Sequence, residues 1–197
     1  MDRYIKIKTV IFFFMLFLTK SFFANAQDVV IKTNLLYGGI MQAPNVGVEW
    51  GLSSQLTLDL WGAYNPFPLG KNGHGASNHK MKHWLVQPEL RYWLCESFNG
   101  HFFGLHTFYG QYNIDGIRYL GLSDYRRQGN VIGAGISYGY QWLLSTRWSL
   151  EATLGIGYAR FNYDVYPCKE CGKRIRKENR NYLGPTRAAV SVIYVIK

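Results

Sequence analysis

Residues 132–142 read Ile132-Gly133-Ala134-Gly135-Ile136-Ser137-Tyr138-Gly139-Tyr140-Gln141-Trp142. The large apolar residues fall on every second position, and the residues between them are glycine, serine and glutamine. A period of two is the signature of a β-strand with unlike faces. The next apolar run repeats it: Trp148, Leu150, Ala152, Leu154, Ile156 and Tyr158 alternate with Ser149, Glu151, Thr153, Gly155 and Gly157. Only Leu143 to Arg147 separates the two, so they read as a tight hairpin of long strands.

Working outward, the same period recurs six more times. Val29, Ile31, Thr33, Leu35 and Tyr37 oppose Lys32 and Asn34. Val46, Val48, Trp50 and Leu52 oppose Gly47, Glu49 and Gly51. Leu56, Leu58, Leu60 and Tyr64 oppose Thr57, Asp59 and Asn65. Trp84, Val86, Leu90 and Tyr92 oppose Gln87, Glu89 and Arg91. Phe103, Leu105, Thr107 and Tyr109 oppose Gly104, His106 and Gly110. Ala188, Val190, Val192, Tyr194 and Ile196 oppose Arg187, Ala189 and Ser191. Eight strands result, and the fold expected is an all-β, antiparallel, up-and-down transmembrane barrel.

The faces argue for a membrane. A soluble eight-stranded barrel of the lipocalin kind would turn its apolar set inward. Here the small and charged set suits a narrow lumen, and the apolar set suits lipid. Outward aromatics fall where two girdles belong: Tyr37, Tyr64, Trp84, Tyr109 and Tyr158 at one end, Trp50, Tyr92, Trp142, Trp148 and Tyr194 at the other. Connections alternate in the same sense. Ser53–Gln55, Cys95–Gly100 and Leu144–Arg147 are short turns. Segments 67–82, 111–129 and 162–181 read as long external loops, and Gly38–Pro44 as a short one.

Composition excludes other classes. Charged residues are 17% of the 197, aromatics another 17%, with 21 glycines and 6 prolines. Disordered chains, coiled coils and disulfide-dense mini-proteins do not look like this. At the start, Arg3, Lys6 and Lys8 precede the apolar run Val10–Leu18, and Ala24-Asn25-Ala26 offers a cleavage site before Gln27. Nine apolar residues reach only about 14 Å as a helix, too short to span a bilayer. Residues 1–26 therefore read as an export signal and 27–197 as the barrel. The signal contributes +3 of the net charge of +10.

Seven charged residues share the predicted lumen face: Lys32, Glu49, Asp59, Glu89, Arg91, Glu151 and Arg187. An eight-stranded barrel is just wide enough for side chains to fill it, and buried charges must pair. An internal ion-pair plug is the plainer reading. A gated pore and a catalytic carboxylate pair are the sharper ones. Cys168-Lys169-Glu170-Cys171 is a single C-x-x-C, a disulfide in an oxidising compartment or half of a zinc site. His74, His79 and His83 could complete such a site but suit a solvated loop as well. Cys95 reads as a lone thiol at a turn. His106 in the lumen and His83 at the rim are the only candidate bases. Lys169, Lys173, Arg174, Arg176, Lys177 and Arg180 make the last loop basic, which suits anionic lipopolysaccharide or surface glycans. No nucleotide, phosphate-loop or Ser/His/Asp signature occurs, and no cofactor or nucleic-acid partner is expected.

Several stretches resemble one family. Lys82–Trp93 (KHWLVQPELRYW) and Cys95–Phe102 (CESFNGHF) are similar to segments of an uncharacterised family of outer-membrane barrels, a domain of unknown function with some members near fimbrial genes. Lys32–Tyr37 (KTNLLY), Cys168–Gly172 (CKECG) and Leu183–Thr186 (LGPT) also look like it. The resemblance covers nearly all of residues 27–197. It implies an OmpA-like membrane barrel, and fimbrial or other surface proteins as partners. Some relatives continue into a peptidoglycan-binding domain, which is not expected after Lys197. The combined expectation is an outer-membrane protein with a structural or surface-interaction role. A lipid A-modifying barrel enzyme and a small channel are the alternatives.

Overall fold

The computed structural model describes residues 28–66, 68–69, 79–115, 125–167 and 176–196. In chain order these form β1 (Val29–Asn34), α1 (Leu35–Met41), β2 (Asn45–Gly51), β3 (Leu56–Asn65), the two-residue β4 (Pro68–Leu69), β5 (His79–Trp93), β6 (Gly100–Asp115), β7 (Tyr125–Leu143), β8 (Trp148–Pro167) and β9 (Arg176–Val195). Each long strand pairs antiparallel with its neighbours, and β3 pairs with β5. β1 lies between β2 and β9 and closes the ring. β4 continues the line of β3 along β5. Closure removes the sheet edge at the level of β1, and above Ser191 β9 continues paired with β8 alone.

Burial follows the period of two. Along β3, Thr57, Asp59, Trp61, Ala63 and Asn65 are buried, while Leu60 and Tyr64 are exposed. The buried set of the ring is mostly polar, and the exposed set mostly aliphatic or aromatic. Leu105, Ile136, Leu154 and Ile156 are 60%, 61%, 71% and 62% exposed.

Two expectations change. The first strand ends at Asn34, not at Tyr37, and Leu35–Met41 turn into a helix. Asn34 causes the switch. Its side-chain oxygen accepts from Tyr37 N (3.1 Å) as an N-cap, and its amide donates to Ala188 O of β9 (3.2 Å). Leu35 and Tyr37 fit the strand period by coincidence, which hid the cap. Tyr37 is therefore no girdle residue. Its ring meets the lumen-facing Trp61 edge-on, with centroids 4.9 Å apart, and its hydroxyl lies 2.7 Å from His83 Nε2. Burial pushes that hydroxyl up to about 12, so it stays protonated at neutral pH.

The long loops are also shorter than expected. β6 and β7 take in residues 111–115 and 125–129, β8 and β9 run to Pro167 and from Arg176, and β5 starts at His79. In these extensions the apolar residues change parity: Tyr112, Ile114, Tyr163 and Val165 continue the lumen face while Gln111, Asn113, Asn162 and Asp164 continue the outer one, so the outward apolar period stops. The backbone ladder continues regardless, through pairs such as Asn162↔Asn179 and Asp164↔Lys177. At 19 to 20 residues, β7 to β9 exceed the roughly 9–11 that cross a bilayer.

The turn end is sealed by an apolar plug of Val30, Trp93, Phe98, Phe102 and Ile193. Phe98 comes from the β5–β6 turn with φ 65°, which costs on the order of 1–2 kcal/mol. Burying the ring returns roughly as much or more, about 1.5–3 kcal/mol. Gly100, with φ 80°, then lets the chain enter β6 without the backbone strain a side chain would bring at that angle.

Candidate functional site: a buried charge cluster in the lumen

Strand register creates an electrostatic problem at mid-barrel. Glu49 lies opposite Asp59, and Asp59 opposite Glu89, so three carboxylates occupy neighbouring strands in one row. Like charges directly opposite repel. One level away, Thr57, Arg91, Gly104, Ser137, Gly155 and Arg187 form the next row. Its two arginines supply the counter-charge, and its two glycines leave room. A Cβ on Gly104 would press on the Glu89 carboxylate and the Ser137 hydroxyl.

All seven lumen charges named from sequence meet in one cluster, each at most 8% exposed. Arg91 is its centre. Its Nε lies 2.6 Å from Glu89, Nη1 lies 2.9 Å from Glu49 and 2.7 Å from Glu151, and Nη2 lies 3.1 Å from Asp59. Lys32 Nζ pairs with Glu49, and lies 3.3 Å from Glu151 and 3.5 Å from Asp59. Arg187 reaches Asp59 at 3.0 Å and Glu89 at 3.3 Å. Three cations face four carboxylates, and His106 Nδ1 stands 3.8 Å from Glu89.

Neutral side chains complete the cluster. Thr57 donates to Glu49, Ser137 to Glu89, and Thr153 to Glu151 at 2.8 Å. The Arg91 guanidinium also sits over the Phe102 ring, 4.4 Å from its centroid, where the apolar plug begins. Thr57 and Thr153 share the lumen parity of Asp59 and Glu151, so the period already marked their face. Phe102 was missed because the apolar count for its strand starts one residue later, at Phe103.

Chemically, the arrangement holds charge in place. Every carboxylate is engaged by at least one cation, and the plug covers the turn side. Above Arg187, toward the loop end, a void of about 60 Å³ touches Tyr37, Trp61 and Gln87. A water occupies about 30 Å³ in the liquid, so this is space for water and not for a substrate. His106 is buried, with Nε2 2.9 Å from Thr186 Oγ1. A register shift between Gly155 and Ile156 leaves Thr186 unopposed in the ladder, next to that histidine.

Of the remaining candidates, Cys95 is a free, exposed thiol. Cys168, Cys171 and His74 lie outside the described residues. Among the described residues no group of three or more His, Cys, Asp or Glu side chains is placed to hold a metal.

Trp93 links plug and cluster, because its Nε1 donates to Thr57 Oγ1 (2.9 Å) and Thr57 donates to Glu49. Trp93→Phe is expected to cost about 1–2 kcal/mol, from the lost hydrogen bond and the smaller ring. A lower urea midpoint for the refolded barrel is the readout. An unchanged midpoint would mean that the link carries no stability.

No curated protein matches the chain. Residues 11–196 match the family described as "Protein of unknown function (DUF3575)". An eight-stranded closed ring with a charged, plugged interior is thus the architecture of a chain that belongs to the DUF3575 family.

Proposed function

We propose that the protein is an outer-membrane β-barrel, exported by residues 1–26, with a structural or surface-interaction role in the cell envelope. The observation that carries this reading is the inverted distribution of polarity. Leu105, Ile132, Ile136, Leu154 and Ile156 are more than half exposed around a core of ion pairs. In water such a wall would be a large apolar patch with no partner. In lipid it is the expected outer surface. Among the described residues no helix is long and apolar enough to cross a membrane, so strands would make the crossing.

The long strand extensions supply the interaction role. Above the wall their outer face turns polar, as at Asn162 and Asp164, and they project the loop end outward. The resemblance to barrels found near fimbrial genes adds fimbrial proteins as candidate partners.

The test is fractionation of cells expressing the full chain, followed by gel electrophoresis with and without heating. The expected result is retention in the outer membrane after a urea wash, with heat-modifiable mobility. A soluble periplasmic protein would overturn the reading. In planar bilayers the plugged lumen is expected to give no stepwise conductance. Regular conductance steps would favour a channel, and altered lipid A acyl chains in the expressing strain would favour an enzyme.

A further inference from the structure

The outer face changes character abruptly at the level of Trp84. Strand register sets Trp84, Gln111, Asn130, Asn162 and Asn179 directly opposite one another on five successive strands, from β5 to β9. Tyr64 of β3 stands beside Trp84 at one end of the row. Four adjacent carboxamides in one cross-strand row have no role in a lipid-facing wall. Gln111 Oε1 accepts from Trp84 Nε1 (3.3 Å). The other three amides of the row make no side-chain hydrogen bond to a described residue.

The row lines an open cavity of about 850 Å³, within the usual range of about 300–1,000 Å³ for ligand sites. Lys82, Arg160, Lys177 and Asp164 also line it, so among the described residues cations outnumber acids. Arg160 holds the decisive position. It belongs to the row below the amides, with Ile132 and Asn181 as its cross-strand neighbours. It lies two residues beyond the exposed Tyr158 on the same face. Among the described residues it has no carboxylate partner. An exposed arginine with no acid among the described residues, where an apolar wall gives way to amides, is suited to a phosphate at the membrane surface.

We propose that this recess binds the phosphorylated sugar headgroup of an outer-leaflet glycolipid. Arg160 takes the phosphate, and the carboxamide row takes the sugar hydroxyls. Carboxamides both donate and accept, which matches hydroxyl groups. Five strands span about 19 Å, long enough for more than one sugar ring. Acyl chains would run down the wall below, past Ile132, Ile156 and Tyr158. The inference rests on the reading that this wall faces lipid.

The test uses the full barrel folded in detergent, with purified lipopolysaccharide as the probe and native mass spectrometry as the readout. Arg160→Gln is expected to weaken binding about tenfold or more, as for loss of a charge-assisted hydrogen bond. The pair Asn130→Leu and Asn162→Leu is expected to weaken it similarly. Dephosphorylating the lipid should weaken binding to the unaltered protein and change little for Arg160→Gln. Arg147→Gln, at the opposite end of the barrel, is the control and should bind normally. Equal loss in that control, or full binding by Arg160→Gln, would overturn the proposal. Equal affinity for the deacylated sugar phosphate would overturn the lipid as its source. Insertion into vesicles is measured in parallel on all variants. A barrel that inserts but ignores the headgroup refutes this site alone, whereas one that never inserts refutes the membrane reading.

Discussion

Replacing Arg91 by leucine is expected to destabilise the barrel by about 3–5 kcal/mol, the range for breaking a buried ion pair by removing one partner. Arg91 is fully buried and lies within 3.1 Å of Glu49, Asp59, Glu89 and Glu151. Its loss leaves four buried carboxylates with Lys32 and Arg187 as their remaining cations among the described residues. Leucine also cannot fill the space of the guanidinium over Phe102. Arg91→Lys restores the charge but not the planar fork, and should fall between the two. Glu89→Gln in the Arg91→Leu background should recover part of the loss, because it removes one unpaired acid. Coupling of about 0.5–3 kcal/mol is the usual size for residues in one network. Reversible urea unfolding from vesicles measures all three. An unchanged midpoint for Arg91→Leu would mean that the lumen is hydrated enough to do without its central cation.

The second large effect concerns the wall. Leu154 is 71% exposed and lies midway between Trp148 and Tyr158 on β8. If lipid covers it, Leu154→Arg should cost about 2–4 kcal/mol, the range for a charge at the bilayer midplane. On a soluble barrel the same change at an exposed site would stay within about 0.5 kcal/mol, since it makes and breaks nothing. Thr153→Val, one residue away but facing the lumen, tests a different physics, because it removes the hydroxyl that donates to Glu151. Folding into vesicles, measured for Leu154→Arg beside Leu154→Ala, separates the two readings. Equal midpoints for those variants would count against a lipid-facing wall.

Much of this molecule is legible in the chain because its two faces differ so sharply. Lys32, Glu49, Asp59, Glu89, Arg91, Glu151 and Arg187 sit on alternate positions beside Val, Leu, Ile and Tyr. Parity alone therefore puts all seven on one face. The closed antiparallel ring follows, since short connections between long two-faced strands leave few other topologies. Where that contrast fades, sequence reasoning fails. In residues 111–114 and 162–165 the apolar side chains switch to the opposite parity, and 125–129 hold no aliphatic residue, so strand looks like loop. Leu35 and Tyr37 keep the period while Asn34 caps a helix, a local hydrogen bond that periodicity does not register.

The tertiary structure decided what depends on register and distance. That Glu49, Asp59 and Glu89 line up as a row of like charges needs two strand pairings fixed together. That the Glu89 carboxylate and the Ser137 hydroxyl fit beside Arg91 needs the space over Gly104, a gap on the neighbouring strand. Phe98 belongs to the plug only because its turn bends inward with a positive φ. The carboxamide row is the same kind of fact, with Gln111, Asn130, Asn162 and Asn179 scattered across 69 positions of the chain. Alternation along a strand is a local property, set by backbone geometry one residue at a time. Alignment across strands is collective, and it exists only once the ring has closed.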